Sequence, residues 1–376
     1  MTYKELINHS VKIINGKMKL DPLSRLYGSP HFKIKKEKLN VEELYDIQDR
    51  LLEAGIYSNL EKSKRNYYLK VIRGHNPNPK KKMITHIFLF LLTIFTTALT
   101  GAMLTHGPIS SMRDIVYGLP YSFALLSILL THEMGHYFAS RYYKVEVTLP
   151  YFIPIFLPTF HPGTLGAFIK MKSAIPNKKA LFDIGVAGPF AGIIVSIIFL
   201  IAGFAQLPDT EGIYAHIETI HPLDNPDGIN LYLGSNILYD LLASLFDGHR
   251  LPMNEVYHFP YILAGWFGLL VTALNLMPIG QLDGGHITYA LFGDKARKVA
   301  IIAFGLLILL NLYVIAEFNS YVWVLWPILI LFFIRFRHPP TMNNKIEIGV
   351  TRKILGWVAY FIFIICFSPL PVYIIF

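Results

Sequence analysis

The stretch GLPYSFALLSILLTHEMGHYFASRYYKV, Gly118 to Val145, is apolar for most of its length and then carries two histidines, a glutamate and a basic exit. A run of this kind approaches the roughly 20 residues that a helix needs to cross the hydrocarbon core of a bilayer. Ionisable side chains inside such a run are costly to keep in lipid, so His132, Glu133 and His136 need a reason to be there. On a helix, His132 and His136 lie on one face about 6 Å apart along the axis. Two imidazoles so placed can bind one zinc ion, and Glu133 beside them can act as general base toward a water, which is the chemistry of the H-E-x-x-H pattern. The plainer reading is a pair of interfacial histidines snorkelling near Arg141 and Lys144. Snorkelling, however, does not call for this spacing.

The rest of the chain supports a membrane setting. Of 376 residues, 53% are hydrophobic and 16% charged, whereas soluble domains carry about 25% charged residues. The apolar residues fall in long runs at about 84–105, 118–141, 180–204, from 259 into the region 275–285, and at 298–316, 319–335 and 353–375. The expected fold is an all-α polytopic membrane protein of about seven transmembrane helices. Residues 1–82 read as a small soluble cytoplasmic region, and residues 83–376 as a membrane-embedded domain with a core at about 118–290.

Charge orients these runs. Arg141, Lys144, Lys170, Lys172, Lys178 and Lys179 follow the second run, Lys295, Arg297 and Lys298 precede the fifth, and Arg335, Arg337, Lys345, Arg352 and Lys353 precede the seventh. All fall on the side of the basic segment Glu61–Met83, which ends in Lys80-Lys81-Lys82 and reads as a cytoplasmic anchor. The loop at about 205–258 is acidic, with Arg250 as its basic residue. The positive-inside rule then places the N-terminus inside, the acidic loop outside and, for an odd number of spans, the C-terminus outside. The net charge of +9 is therefore topological, and nucleic acid is not an expected partner. Cys366 is the sole cysteine, which excludes a disulfide within the chain and a cysteine-rich zinc site. The first residues, MTYKELINHSVKIINGKMKL, lack a long apolar core, so no cleavable signal peptide is expected. In the N-terminal region NVEELYDIQDRLLEAG predicts an amphipathic helix, capped by Asn40 with Glu43 and ended by Gly55, with Val41, Leu44, Ile47 and Leu51 on its apolar face.

Residues 145–175 are apolar but interrupted by Pro150, Pro154, Pro158 and Pro162, which a spanning helix would not tolerate. VEVTL and TLGAFIKMKS have strand-like composition. Non-helical backbone at membrane depth must be buried in protein or line a wet cavity, so a re-entrant, strand-like segment is expected between spans two and three.

A catalytic zinc usually takes three protein ligands, and without cysteine the third is a histidine or a carboxylate. Asp283, in NLMPIGQLDGGHI, sits at the cytoplasmic end of span four, at the depth of His132 and His136. Pro278, Gly280, Gly284 and Gly285 would break the helix there. Alone, Asp283 reads as a turn residue in Asp-Gly-Gly; beside an intramembrane H-E-x-x-H it reads as a ligand. Gly185, Gly188 and Gly192 on span three read as small packing residues, Asp183 as a polar residue near Lys178 and Lys179, and His161 as a loop histidine. His106, His216, His221, His249 and His258 fall on the outer side, away from the zinc depth.

HEMGH on an early span followed by NLMPIGQLDGG on a later one resembles the site-2 protease family of intramembrane zinc metalloproteases. The second motif matches that family's Asn-x-x-Pro-x-x-x-Leu-Asp-Gly pattern at Asn275, Pro278, Leu282, Asp283 and Gly284. GTLGAFIKMKSAIPNKKALFDIGVAGPFAG also looks like the family's connecting region, and the resemblance covers about residues 119–290. It implies one zinc ion per chain held by His132, His136 and Asp283, with Glu133 as the base. It also implies that Asn275 hydrogen-bonds the substrate backbone or the oxyanion. The chain departs from some members in lacking a PDZ domain in its outer loop and a CBS domain at its C-terminus.

The expected activity is zinc-dependent hydrolysis of peptide bonds in or near the transmembrane segments of single-span membrane proteins, in regulated intramembrane proteolysis. A substrate helix must unwind to be cut, and Gly163, Thr164, Leu165, Gly166, Ala167 and Phe168 can offer a strand edge to the unwound segment. Residue usage suggests a bacterial inner (cytoplasmic) membrane with the active site near the cytoplasmic side. Two other classes fit part of the pattern: a metal or proton-coupled transporter, which also places polar residues on broken helices, and an inactive binder of transmembrane partners. No inverted repeat is visible, and the base-like Glu133 between two ligands favours hydrolysis.

Overall fold

The computed structural model describes residues 3–21, 30–34, 41–54, 56–63, 66–73, 79–157, 160–222 and 230–375. The N-terminal region opens with α1 (Tyr3–Ile14), β1 (Lys19–Leu20), β2 (His31–Ile34), α2 (Val41–Glu53), β3 (Ile56–Ser63) and β4 (Asn66–Arg73). The four strands form an antiparallel sheet in the order β1-β2-β4-β3. Leu44, Ile47 and Leu51 are buried with Leu6, Ile14, Phe32, Ile56, Leu69 and Val71, so the apolar face expected of α2 closes onto this sheet. Asn40 and Gly55, expected to cap α2, lie outside the described residues. Part of the expected basic anchor is instead the β3–β4 hairpin.

The apolar part follows as α3 (Pro79–His106), α4 (Leu119–Tyr142), β5 (Tyr151–Pro154), β6 (Thr164–Phe168), α5 (Lys178–Ala205), α6 (Thr210–Glu218), β7 (Asn230–Leu233), α7 (Ile237–Leu245), α8 (Pro260–Leu276), α9 (Asp283–Phe292), α10 (Ala296–Phe318), α11 (Leu325–Leu329), α12 (Val350–Cys366) and β8 (Val372–Ile375). The chain is mostly helical. Four helical segments among the described residues are long and apolar enough to cross a membrane: Met83–His106, Asp114–Tyr142, Lys178–Ala205 and Asp283–Phe318. Large apolar side chains such as Ile84, Phe88, Leu91, Leu306, Leu309, Phe361 and Ile364 stay exposed on these helices and α12. Lipid would cover such a surface.

The remaining expected spans are shorter. α8 has 17 residues, about 25 Å of helix, and stops where Pro278 restricts Met277 to extended backbone. The run at 319–335 yields only α11 and a turn of π-helix to Ile334, because Asn319 ends α10 at positive φ and the chain turns before α11 begins. The run at 353–375 is helical to Cys366 and extended after Pro369 and Pro371. Its last residues pair antiparallel with the acidic loop as β8 on β7, Leu233 opposite Val372.

Helices α4, α5 and α8 pack on one another, with α9 against α5 and α3 against α4. Glycines let their backbones approach: a Cβ at Gly135 of α4 would sit 2.5 Å from the carbonyl oxygen of Ala187 on α5. The proline-interrupted segment folds as a hairpin. β5 pairs antiparallel with β6, with an irregularity between Phe152 and Pro154, and Val147 bridges Met171 beyond it. Asp183 of α5 receives a two-pronged ion pair from Arg352 of α12, Nε to Oδ1 at 2.8 Å and Nη2 to Oδ2 at 2.7 Å. That pairing, not Lys178 or Lys179, accounts for its charge.

Candidate metal centre and active site

One face of the second half of α4 is buried: His132, Glu133 and His136 are at most 7% exposed, while Phe138 and Tyr142 are exposed. The helix ends just beyond, where Lys144 adopts positive φ and the Val145 N–H bonds the Ser140 carbonyl. The opposite wall comes from the break after α8. Met277 is extended, Gly280 takes φ +57°, and Leu282 is extended ahead of α9. The chain thus reverses, and Asp283 starts α9 beside the end of α8. Gly284 makes this possible, because a Cβ there would lie 2.0 Å from the Leu276 carbonyl oxygen.

The result is a near-equilateral triangle of acceptor atoms. His132 Nε2 and His136 Nε2 are 3.1 Å apart, and Asp283 Oδ2 is 3.2 Å from each. His136 Nδ1 donates to the Ile184 carbonyl on α5 at 2.6 Å, which leaves Nε2 with its lone pair facing the triangle. Three converging lone pairs repel unless a cation or protons lie between them. Tetrahedral zinc with bonds of about 2.0–2.1 Å has ligand-to-ligand edges of about 3.3 Å. The donor set, its spacing and its burial therefore fit a divalent transition metal.

Asn275, in the last turn of α8, brings its amide nitrogen to 3.4 Å from His132 Nε2. Glu133 faces the same cavity, and Ile169, just past β6, lines it beside the carboxylate. The cavity holds about 210 Å³ and is lined by all five of these residues together with Ala167, Phe168, Ile169, Met171, Gln281 and His286, room for several waters. The hairpin thus forms one wall of the site. Of the six residues expected to offer a strand edge, Ala167 and Phe168 line the cavity, while Gly163, Thr164, Leu165 and Gly166 lead away from it along β6. β6 pairs with β5 alone among the described residues.

Several contributors were not foreseen. Gly188 and Gly192 are packing residues, as expected, but what they pack against is the ligands. A Cβ at Gly188 would sit 2.1 Å from His136 Nε2, and one at Gly192 would sit 3.2 Å from His132. His286 of α9 bonds His338 at 2.6 Å beside the site. His161 is a loop residue as expected, its ring held by the backbone of Leu157 and Gly163. A larger cavity of about 830 Å³, lined by Arg297, Lys298, Arg335 and Arg337, adjoins the site and shares Gln281 with it.

Residues 120–313 match the model of peptidase family M50. Among curated proteins, the chain is 31% identical over 318 residues to a probable zinc metalloprotease, EGY1, chloroplastic, of Oryza sativa subsp. japonica, covering 78% of this chain and 52% of that one. It is also 31% identical over 255 residues to the probable zinc metalloprotease EGY1, chloroplastic, of Arabidopsis thaliana, covering 67% and 43%. A third relative, the probable zinc metalloprotease EGY2, chloroplastic, of Oryza sativa subsp. indica, is 30% identical over 283 residues, covering 71% and 47%. The chain spans about half the length of these relatives. No solved structure matches it. The bacterial inner membrane expected from residue usage draws no support from these plant relatives.

Proposed function

Because this chain belongs to peptidase family M50, the site-2 protease family that its two motifs resemble, we propose that it is a zinc metalloendopeptidase cutting peptide bonds within or beside the transmembrane segments of single-span membrane proteins. The observation that carries this reading is the meeting of His132, His136, Asp283, Glu133 and Asn275 in one cavity that is also walled by a strand. His132, His136 and Asp283 would hold the ion. Bound zinc would supply Lewis acidity toward a carbonyl oxygen and lower the pKa of water.

The chain's own residues account for the rest. Glu133 takes the proton of the attacking water and returns it to the leaving amine. The amide of Asn275 donates to the substrate carbonyl oxygen as charge develops there. A substrate helix hides its carbonyls in its own hydrogen bonds, so the segment to be cut must be extended; the open edge of β6 can pair with it. Such pairing also satisfies backbone groups that lipid would leave unpaired.

In this reading the hairpin is re-entrant and the chain crosses the bilayer seven times, with α8, α11 and its π turn, and α12 as short spans sheltered by their neighbours. The basic loops and the N-terminal region face the cytoplasm, and the acidic loop faces outward. The β7–β8 pairing supports this topology, since it ties the C-terminal strand to the outer loop. The active site then lies near the cytoplasmic side.

The direct test is to incubate purified, zinc-loaded chain with single-span substrates and map the cut by mass spectrometry. Cleavage within or beside the span, stopped by a zinc chelator and restored by zinc, is expected; intact substrates across a broad panel would count against the assignment. The strand has its own test. Leu165 has no ladder partner on β5 and is exposed, so Leu165→Pro removes an N–H from β6 without breaking the hairpin pairs. We expect cleavage to fall about tenfold or more, the cost of about one to two lost backbone hydrogen bonds, with zinc content unchanged. Unchanged cleavage would refute β-addition at this strand.

A further inference from the structure

A second set of metal-ligating atoms converges on the outer side of the molecule, away from the proposed active site. His221 follows α6, and Glu255 and His258 belong to the tight turns that lead into α8. The Nε2 atoms of His221 and His258 are 3.0 Å apart. Glu255 Oε2 lies 3.3 Å from each. This is nearly the same triangle as that of His132, His136 and Asp283, with the same composition of two imidazoles and one carboxylate oxygen. Its edges likewise match a tetrahedral ligand set, about 3.3 Å.

Each ligand is held by its other polar atom. His258 Nδ1 donates to the Leu104 carbonyl, in the last turn of α3, at 2.7 Å. His221 Nδ1 donates to the Pro222 carbonyl at 3.1 Å. Glu255 Oε1 accepts from the Asn254 amide at 2.7 Å. With those hydrogens committed, three bare acceptors face one another, an arrangement that a cation resolves. His258 and Glu255 are buried, and the His221 side chain is 35% exposed, which leaves an open side for water as a fourth ligand. The acidic character of the surrounding loop, residues 205–258, favours cations there. Two imidazoles select zinc or a similar late divalent metal over calcium or magnesium.

We propose that His221, Glu255 and His258 form a second zinc site on the outer face, acting as a clasp. It would join the connection after α6 to the start of α8, and through Leu104 to the outer end of α3. α8 carries Asn275 at its opposite end, about 25 Å away, so the clasp fixes the helix that presents the active-site amide without taking part in the chemistry.

The test is to count zinc in the full chain, purified with any polyhistidine tag removed and equilibrated in zinc-buffered solution. Two zinc ions per chain are expected. His221→Ala should hold one, as should His132→Ala/His136→Ala, and the combined variant should hold none. The half-exposed His221 is chosen because its loss leaves the buried contacts of His258 intact. The His221→Ala comparison stands alone where the inner double variant fails to fold, since it keeps the inner ligands. If His221→Ala carries as much zinc as the unsubstituted chain, the clasp is wrong, and so too if the folded inner double variant holds none. A chain whose single zinc is removed by His221→Ala would support the clasp while overturning the inner metal centre, so the two readings fail separately.

Discussion

Replacing Glu133 by glutamine should abolish cleavage while leaving zinc in place. The substitution keeps the shape of the side chain and its place in the cavity beside His132 and His136, but an amide cannot accept the proton of an attacking water. General-base catalysis contributes about 10²–10⁴-fold, so cleavage should fall by roughly that factor. None of the three ligand atoms belongs to Glu133, so metal content should not change. Glutamine has the size and shape of glutamate, which keeps the variant a test of chemistry and not of packing. Quantitative cleavage of a single-span substrate, with zinc measured on the same sample, is the check. A variant that cuts at the unsubstituted rate would remove Glu133 from the mechanism.

The second large effect is expected at a residue that carries no chemistry. Gly188→Ala should empty the inner site of zinc and with it end cleavage. The new methyl would sit 2.1 Å from His136 Nε2, well inside van der Waals contact, and the neighbouring atoms belong to a ligand ring already pinned by the Ile184 carbonyl. Overpacking a tight interior typically costs about 1–3 kcal/mol. Here the ring is the part that must give way. Rotating it off the triangle removes one of three ligands, so the loss should resemble that of His136→Ala. Gly192→Ala, whose methyl would meet His132 at 3.2 Å, should be milder. Zinc content and thermal stability in detergent, measured for both variants, separate this account from simple unfolding: Gly188→Ala should lose zinc at a temperature where the fold persists. Full zinc occupancy in Gly188→Ala would contradict it.

These two expectations mark what the sequence made legible. The H-E-x-x-H face of α4 and the carboxylate of Asp283 were readable because the chemistry lies in residue type and local spacing, and because Pro278, Gly280 and Gly284 signal a broken helix. Four long apolar helices were equally plain. The hairpin was half legible: its prolines excluded a helix, and β6 fell where strand composition placed it, but β5 formed at Tyr151–Pro154, across prolines. What could not be read was which surfaces meet. Gly188 looked like any small residue on a span until α5 was laid against His136. The N-terminal sheet escaped notice because its strands are mixed polar and charged, with Lys62, Lys70 and Arg73 among them, and its core is assembled from short segments far apart in sequence. His221, Glu255 and His258 were set aside as outer-loop residues, since 34 and 37 positions separate the first from the others. Only the fold shows their nitrogens and oxygen converging. Spans six and seven were drawn too long for a further reason: hydropathy alone carries an apolar run across Asn319 and through Pro369 and Pro371, where the backbone does not remain helical.

The central claim is that one metal is held jointly by the H-E-x-x-H helix and by a carboxylate that arrives 147 residues later. The measurement that reaches it most directly is zinc content together with substrate cleavage in Asp283→Ala, measured on folded, purified chain. The account predicts the loss of one zinc per chain and of cleavage together. An Asp283→Ala protein that keeps both its zinc and its activity would contradict it.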